Sequence, residues 1–233
     1  MADRFYDHPS GVAAPSVTNI MKIVYSESLE RYKMNQVRDF CLQPGATKAG
    51  ANEFMGMIGM SEADKGTWLH EIAEKTIQGD DSLPEPIKGA EKQCENLVYN
   101  LQVFFNSLPE NWMPLATEVV LHGELSGKPV AYYSGTADAV IQVDDNRRAM
   151  IDFKTSKAPY DNYGAQLAAY AKAWNETYPQ EKVNRLWLVR IDKNKKIDNP
   201  EIHEPDPHLS MALFKSSILT WYITNKMWGS IFK

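Results

Sequence analysis

Residues 1–15 carry Pro9, Gly11 and Pro15 with little apolar periodicity, which predicts an irregular arm. From Val17 to Phe40 the apolar positions Ile20, Ile23, Val24, Leu29, Tyr32, Val37 and Phe40 fall near a helical period, and Lys22, Arg31, Lys33 and Arg38 lie between them. Pro44, Gly45 and Gly50 mark residues 43–52 as a loop. The Met- and Gly-rich run 53–60 is compatible with a short helix or a loop. Ser61 with Asp64 resembles a capping pair, so a helix over 62–78 follows, its apolar side Trp68, Leu69, Ile72, Ala73 and Ile77. Pro84 and Pro86 open a further helix to about Ser107, with Cys94, Leu97, Leu101 and Phe104 in its stripe.

The pattern then changes period. Residues 115–122, 130–143 and 148–154 read as strands, joined through Ser126-Gly127-Lys128 and Asp144-Asp145-Asn146. Residues 161–177 read as a helix with a face of small residues. Residues 183–191 form a strand whose run Leu186-Trp187-Leu188-Val189 suits a central position. A charged turn, Asp192 to Lys196, reads as a solvated tip. Residues 197–204 suit an edge strand, and 207 to about Trp228 a terminal helix. The expected class is α+β, or mixed α/β: a small central sheet flanked by helices.

At 233 residues and 43% hydrophobic content, the chain can bury a core as one large domain. No apolar run approaches the ~18 residues of a membrane span, and the first residues lack the order of a signal peptide, so an intracellular chain is expected. Cys41 and Cys94, far apart and without CxxC partners, exclude a site built from about four thiolates and read as free buried thiols. The net charge of −5 argues against a protein that coats nucleic acid, but leaves room for an enzyme that grips it locally.

The candidate chemistry lies in Gly135-Thr136-Ala137-Asp138 and Ile151-Asp152-Phe153-Lys154-Thr155. On a strand Asp152 and Lys154 share a face. Asp138 sits among apolar neighbours, where an acid is costly unless paired or bound to a cation. If the two acids lie on neighbouring strands their carboxylates converge, and a divalent cation relieves their repulsion. Oxygen ligands favour Mg²⁺ or Mn²⁺ over zinc. An edge-strand salt bridge is the plainer reading of Asp152 and Lys154. His70 is the third candidate, with Glu74 one turn on to orient its other nitrogen. Gln166 and Tyr170 share a helix edge, and Glu118 is either a surface acid or a further member.

In order, His70, Gly135-Thr136-Ala137-Asp138, Asp152-Phe153-Lys154-Thr155 and Gln166-x-x-x-Tyr170 resemble the RecB-like branch of the PD-(D/E)xK nuclease superfamily. The nearest likeness is to phage exonucleases related to the mitochondrial genome maintenance exonuclease. The resemblance implies a restriction-endonuclease-like core over 61–233 with an N-terminal helical elaboration over 1–60, all one nuclease domain. It implies metal ligation by His70, Asp138, Asp152 and the Phe153 carbonyl, and a water-positioning role for Lys154. Gln166, Tyr170, Glu118 and Thr155 are implied as substrate-binding or supporting residues. The implied activity is a Mg²⁺- or Mn²⁺-dependent DNA exonuclease acting on single-stranded ends inside a cell, a host cytoplasm in the phage case. The alternatives are a flap endonuclease and a non-catalytic recombination module. Relatives with an iron–sulfur cluster carry four cysteines that this chain lacks, so no cluster is expected.

Overall fold

The computed structural model describes residues 4–24, 27–127 and 130–225. The expected arm is instead a hairpin, β1 (Phe5–Asp7) and β2 (Ala13–Pro15), whose turn uses Gly11 at a positive φ. The expected helix over 17–40 is two: α1 (Val17–Met21), capped by Ser16, and α2 (Glu27–Cys41). Residues 25–26 between them, like Lys128 and Trp228, lie outside the described residues, as do the side chains of Tyr32 and Lys33.

Helix α3 (Lys48–Gln78) runs through the expected loop and through Ser61. Its start is set by Thr47, whose hydroxyl accepts from Gly50 N at 3.1 Å, and with no proline following, the helix continues to Gly79 in the left-handed conformation. Helix α4 (Glu91–Asn106) begins later than the prolines suggest. A residue before proline favours extended backbone, and the carbonyl of Glu85, just before Pro86, accepts from Trp68 Nε1 at 3.0 Å instead of starting a helix.

The remaining elements follow the expected order: β3 (Met113–Leu125), β4 (Ala131–Gln142), β5 (Arg148–Lys154), α5 (Asp161–Thr177), β6 (Arg185–Arg190), β7 (Glu201–His203) and α6 (Pro207–Thr224). The sheet order is β3-β4-β5-β6-β7, antiparallel except for β5 and β6, which are parallel and joined through α5. The class is the expected one, a mixed sheet flanked by helices. Among the described residues, no helix is long and apolar enough to cross a membrane.

The strand alternation assigns the two faces. Met150, Leu186 and Leu188 join the core under α1, α5 and α6, while Ala149, Ile151, Phe153, Trp187 and Val189 join the core under α3 and α4. Cys94 is buried there, but Cys41 is exposed, against expectation. The turn after β6 is not a solvated tip. Asn96 Nδ2 donates to Lys193 O (3.0 Å), Asn100 Nδ2 to Asp192 O (2.6 Å) and Lys195 O (2.8 Å), and Lys193 is buried against Glu62 of α3.

Candidate metal centre and active site

In β4 and β5 Ala139 pairs with Ile151, so Asp138 and Asp152 are the next opposed positions. The sheet holds Asp138 firmly: its Oδ2 accepts the Phe153 N–H at 2.8 Å. The carbonyl of the same Phe153 faces His70 Nε2 of α3 at 3.1 Å. A carbonyl only accepts, so that nitrogen carries a proton, and the other ring nitrogen, Nδ1, faces the acids. Nδ1 lies 3.4 Å from Asp138 Oδ1 and 3.8 Å from Glu118 Oε1.

Glu118 reaches this point through an unusual backbone. Thr117 pairs with Ala139 and Val119 with Ala137, so Glu118 stands opposite Asp138, at φ 43° in the left-handed region. For a residue other than glycine this costs roughly 1–3 kcal/mol, and such strain gathers at functional sites. Side-chain exposure of Glu118 is 35%, so it is not the plain surface acid of one sequence reading.

His70, Glu118 and Asp138 thus offer one ligand atom each, all within 4.8 Å of one another. The two measured separations are below the ~4.2 Å that two metal–ligand bonds of ~2.1 Å can span. Burial and the Asp138 charge push the Glu118 carboxyl above its usual range, while His70 pulls the other way. One imidazole nitrogen and two carboxylates with this net negative potential fit a divalent cation. Glu74 does not orient His70. It accepts from Gln78 Nε2 at 3.0 Å, and both ring nitrogens of His70 face the site.

Asp152, 1% exposed, is treated differently. Lys154 Nζ lies 2.7 Å from each of its oxygens, but only the approach to Oδ1 has hydrogen-bond geometry, so Oδ2 has no hydrogen-bond partner. Burial pushes the Asp152 carboxyl up to about 6, with Asp138 adding to the rise and Lys154 opposing it. For Lys154, burial favours the neutral amine, but Asp152 and Asp138 outweigh it and hold the ammonium above the usual lysine range. The sequence reading set Asp138 and Asp152 as a shared ligand pair. The structure brings Asp138 together with His70 and Glu118, and sets Asp152 against Lys154.

Gln166 Nε2 donates to the Tyr170 hydroxyl at 3.2 Å, and Tyr170 is buried against β4. Gly135 makes that contact fit, since a Cβ there would lie 2.8 Å from the Tyr170 ring and hydroxyl. A glycine inside a strand is the only local sign of it. Thr155 is half-buried just past β5. Tyr163 lies under Lys154, its ring centroid 5.1 Å from Nζ. One contributor escaped the sequence. Arg190, in register with Lys154, donates from Nε to Ser156 O at 2.8 Å and fixes the chain after the lysine. Strand pairing, which no local pattern reveals, is what brings Arg190 there.

The family model of the PD-(D/E)XK nuclease superfamily matches residues 46–218. The chain belongs to this superfamily. PD-(D/E)XK nucleases use divalent metals, and the His70–Glu118–Asp138 cluster is a group able to hold one. No curated protein matches the sequence. Among solved structures, a presumed exonuclease from Eubacterium rectale is 14% identical with a TM-score of 0.49, over 88% of this chain and 85% of that one. The protein SSO0001 is 16% identical with a TM-score of 0.41, over 88% of this chain and 84% of its own.

Proposed function

We propose that the chain is a metal-dependent DNA exonuclease of the RecB-like branch, a single nuclease domain acting on single-stranded ends with Mg²⁺ or Mn²⁺. The observation that carries this reading is one juxtaposition. A donor cluster, His70–Glu118–Asp138, stands next to a lysine–carboxylate pair, Lys154–Asp152, with Asp138 and Asp152 at opposed strand positions.

A bound divalent ion supplies Lewis acidity, lowering the pKa of water and drawing charge from a phosphoryl oxygen. His70 Nδ1, Glu118 and Asp138 would hold it, with Asp152 and the Phe153 carbonyl as the further ligands that the family resemblance implies. Lys154, kept protonated by its carboxylates, orients the attacking water and offsets charge developing on the phosphate. Asp152 positions Lys154. Tyr170 and Gln166 brace β4 from the α5 side, and Thr155 extends the lysine strand toward the substrate. The β1–β2 hairpin meets β4 near the site through Tyr6, whose hydroxyl lies 3.3 Å from Thr136 Oγ1.

Incubation of labelled linear and circular single-stranded DNA with Mg²⁺ or Mn²⁺ tests the reading. Loss of linear DNA alone is expected, with Lys154→Ala inactive. Equal loss of both forms refutes the exonuclease assignment. No loss of either, with binding retained, leaves a non-catalytic DNA-binding module.

A further inference from the structure

The N-terminal segment sets Arg4 beside the strand that carries Asp138 and links it through Asn19 to Lys22 at the end of α1, two cations that the chemistry above does not use. The Arg4 carbonyl accepts from Ser16 N at 3.0 Å and from Asn19 Nδ2 at 3.1 Å, so Arg4 is pinned to the cap of α1. Its guanidinium lies over the Tyr6 ring, 4.9 Å from the centroid. Tyr6 in turn meets Thr136, two residues before Asp138 on β4. The other end of the Asn19 side chain accepts from Lys22 Nζ at 2.7 Å, and Arg4 and Lys22 are both exposed. Arg4, Tyr6 and Lys22 all precede residue 46, outside the stretch matched to the superfamily.

A cluster of carboxylates repels a polyanion, so a strand approaching it gains from cations at the rim. A guanidinium laid on an aromatic ring is partly ordered beforehand and keeps its N–H edge outward, the edge that binds a phosphate with two parallel hydrogen bonds. We propose that Arg4, seated on Tyr6, and Lys22, held by Asn19, form a clamp on the sugar–phosphate backbone of the DNA strand entering the metal centre. The clamp rests on the nuclease reading. Tyr6 is its positioning residue, acting through Arg4.

The test is fluorescence anisotropy of a labelled single-stranded oligonucleotide with the full chain carrying Lys154→Ala, in Mg²⁺, over a range of salt. Adding Arg4→Ala should raise Kd about tenfold and reduce the slope of log K against log salt by about 0.7, the value for one phosphate contact on a single strand. Adding Lys22→Ala as well should bring the reduction to about 1.4. Arg4→Lys should recover only part of the affinity. Tyr6→Phe, which keeps the ring, should bind near the parent level, and Tyr6→Ala should follow Arg4→Ala. With Lys154 restored, Arg4→Ala should raise KM while leaving kcat unchanged. Unchanged Kd and salt slope in a folded Arg4→Ala chain, checked by circular dichroism, overturn the clamp alone. Absence of DNA binding by the parent chain overturns the clamp and the nuclease reading together.

Discussion

Two groups of acids in this molecule are built from the same residue types and handled in opposite ways. Around the turn after β6, Glu62, Asp192 and Glu201 each have a cation. Glu62 is bonded by Lys65 at 3.1 Å and by Lys193, and Arg190 pairs with Asp192 at 3.0 Å and with Glu201. These pairs tie α3 and the β6–β7 turn together. At the His70–Glu118–Asp138 cluster, the acids face each other and an imidazole nitrogen, and Lys154 beside them is bonded to Asp152. Paired acids in a network serve the fold. Among the described residues, acids set against each other and an imidazole without a lysine or arginine bonded to them, one of them on strained backbone, form a group able to hold an ion from solution.

The difference is broken most sharply by removing one acid from each group. Asp138→Asn is expected to lower DNA cleavage by at least about 10³-fold with the fold retained, as loss of a principal electrostatic group at a reacting centre does. Glu62→Gln should keep cleavage within a few-fold of the parent and lower the melting temperature. Equal effects on cleavage would erase the distinction.

How far this was readable beforehand differs by element. The boundaries of β5 and α5 follow directly from period and turn residues, and the observed strand Arg148–Lys154 and helix Asp161–Thr177 coincide with expectation. The β1–β2 hairpin was missed because two three-residue strands carry no alternation. Glu118 was visible as an acid, but its place in the cluster depends on a left-handed φ opposite Asp138, which nothing local signals. The role of Asn96 and Asn100 was hidden because they sit in an apolar helix stripe and act on a turn about 90 residues away. Local pattern sets elements. Convergence of side chains from α3, β3 and β4 belongs to the tertiary fold.

A smaller effect separates the groups by ligand binding. Mg²⁺ at about 100 times its Kd should stabilise the chain by about 2.7 kcal/mol, seen as a rise in melting temperature. Asp138→Asn should abolish that rise, and Glu62→Gln should leave it whole.

A further effect is in pH, and its sign differs between the groups. The folded pKa of Asp152 is raised, to about 6, above its unfolded value of ~3.9. Its stabilising contribution in metal-free protein is therefore complete below about pH 4 and is lost as pH rises through 6, by at most about 3 kcal/mol. For Glu62 and Asp192 burial favours the protonated form, but for Glu62 Lys193 and Lys65, and for Asp192 the Asn194 N–H and Arg190, outweigh it and depress both pKa values. Their contribution is present above the unfolded pKa and is lost as pH falls through the folded one. Metal-free melting curves from pH 4 to 7.5 should thus show a component that Asp152→Asn removes, and Glu62→Gln should change only the acid limb.

The central claim is that His70, Glu118 and Asp138 hold the working ion. Crystals soaked in Mn²⁺ and measured at the manganese absorption edge test it directly. An anomalous peak within about 2.3 Å of His70 Nδ1, Glu118 and Asp138 oxygens is the predicted result. A peak elsewhere, or none in a preparation that cleaves DNA with Mn²⁺, would contradict it.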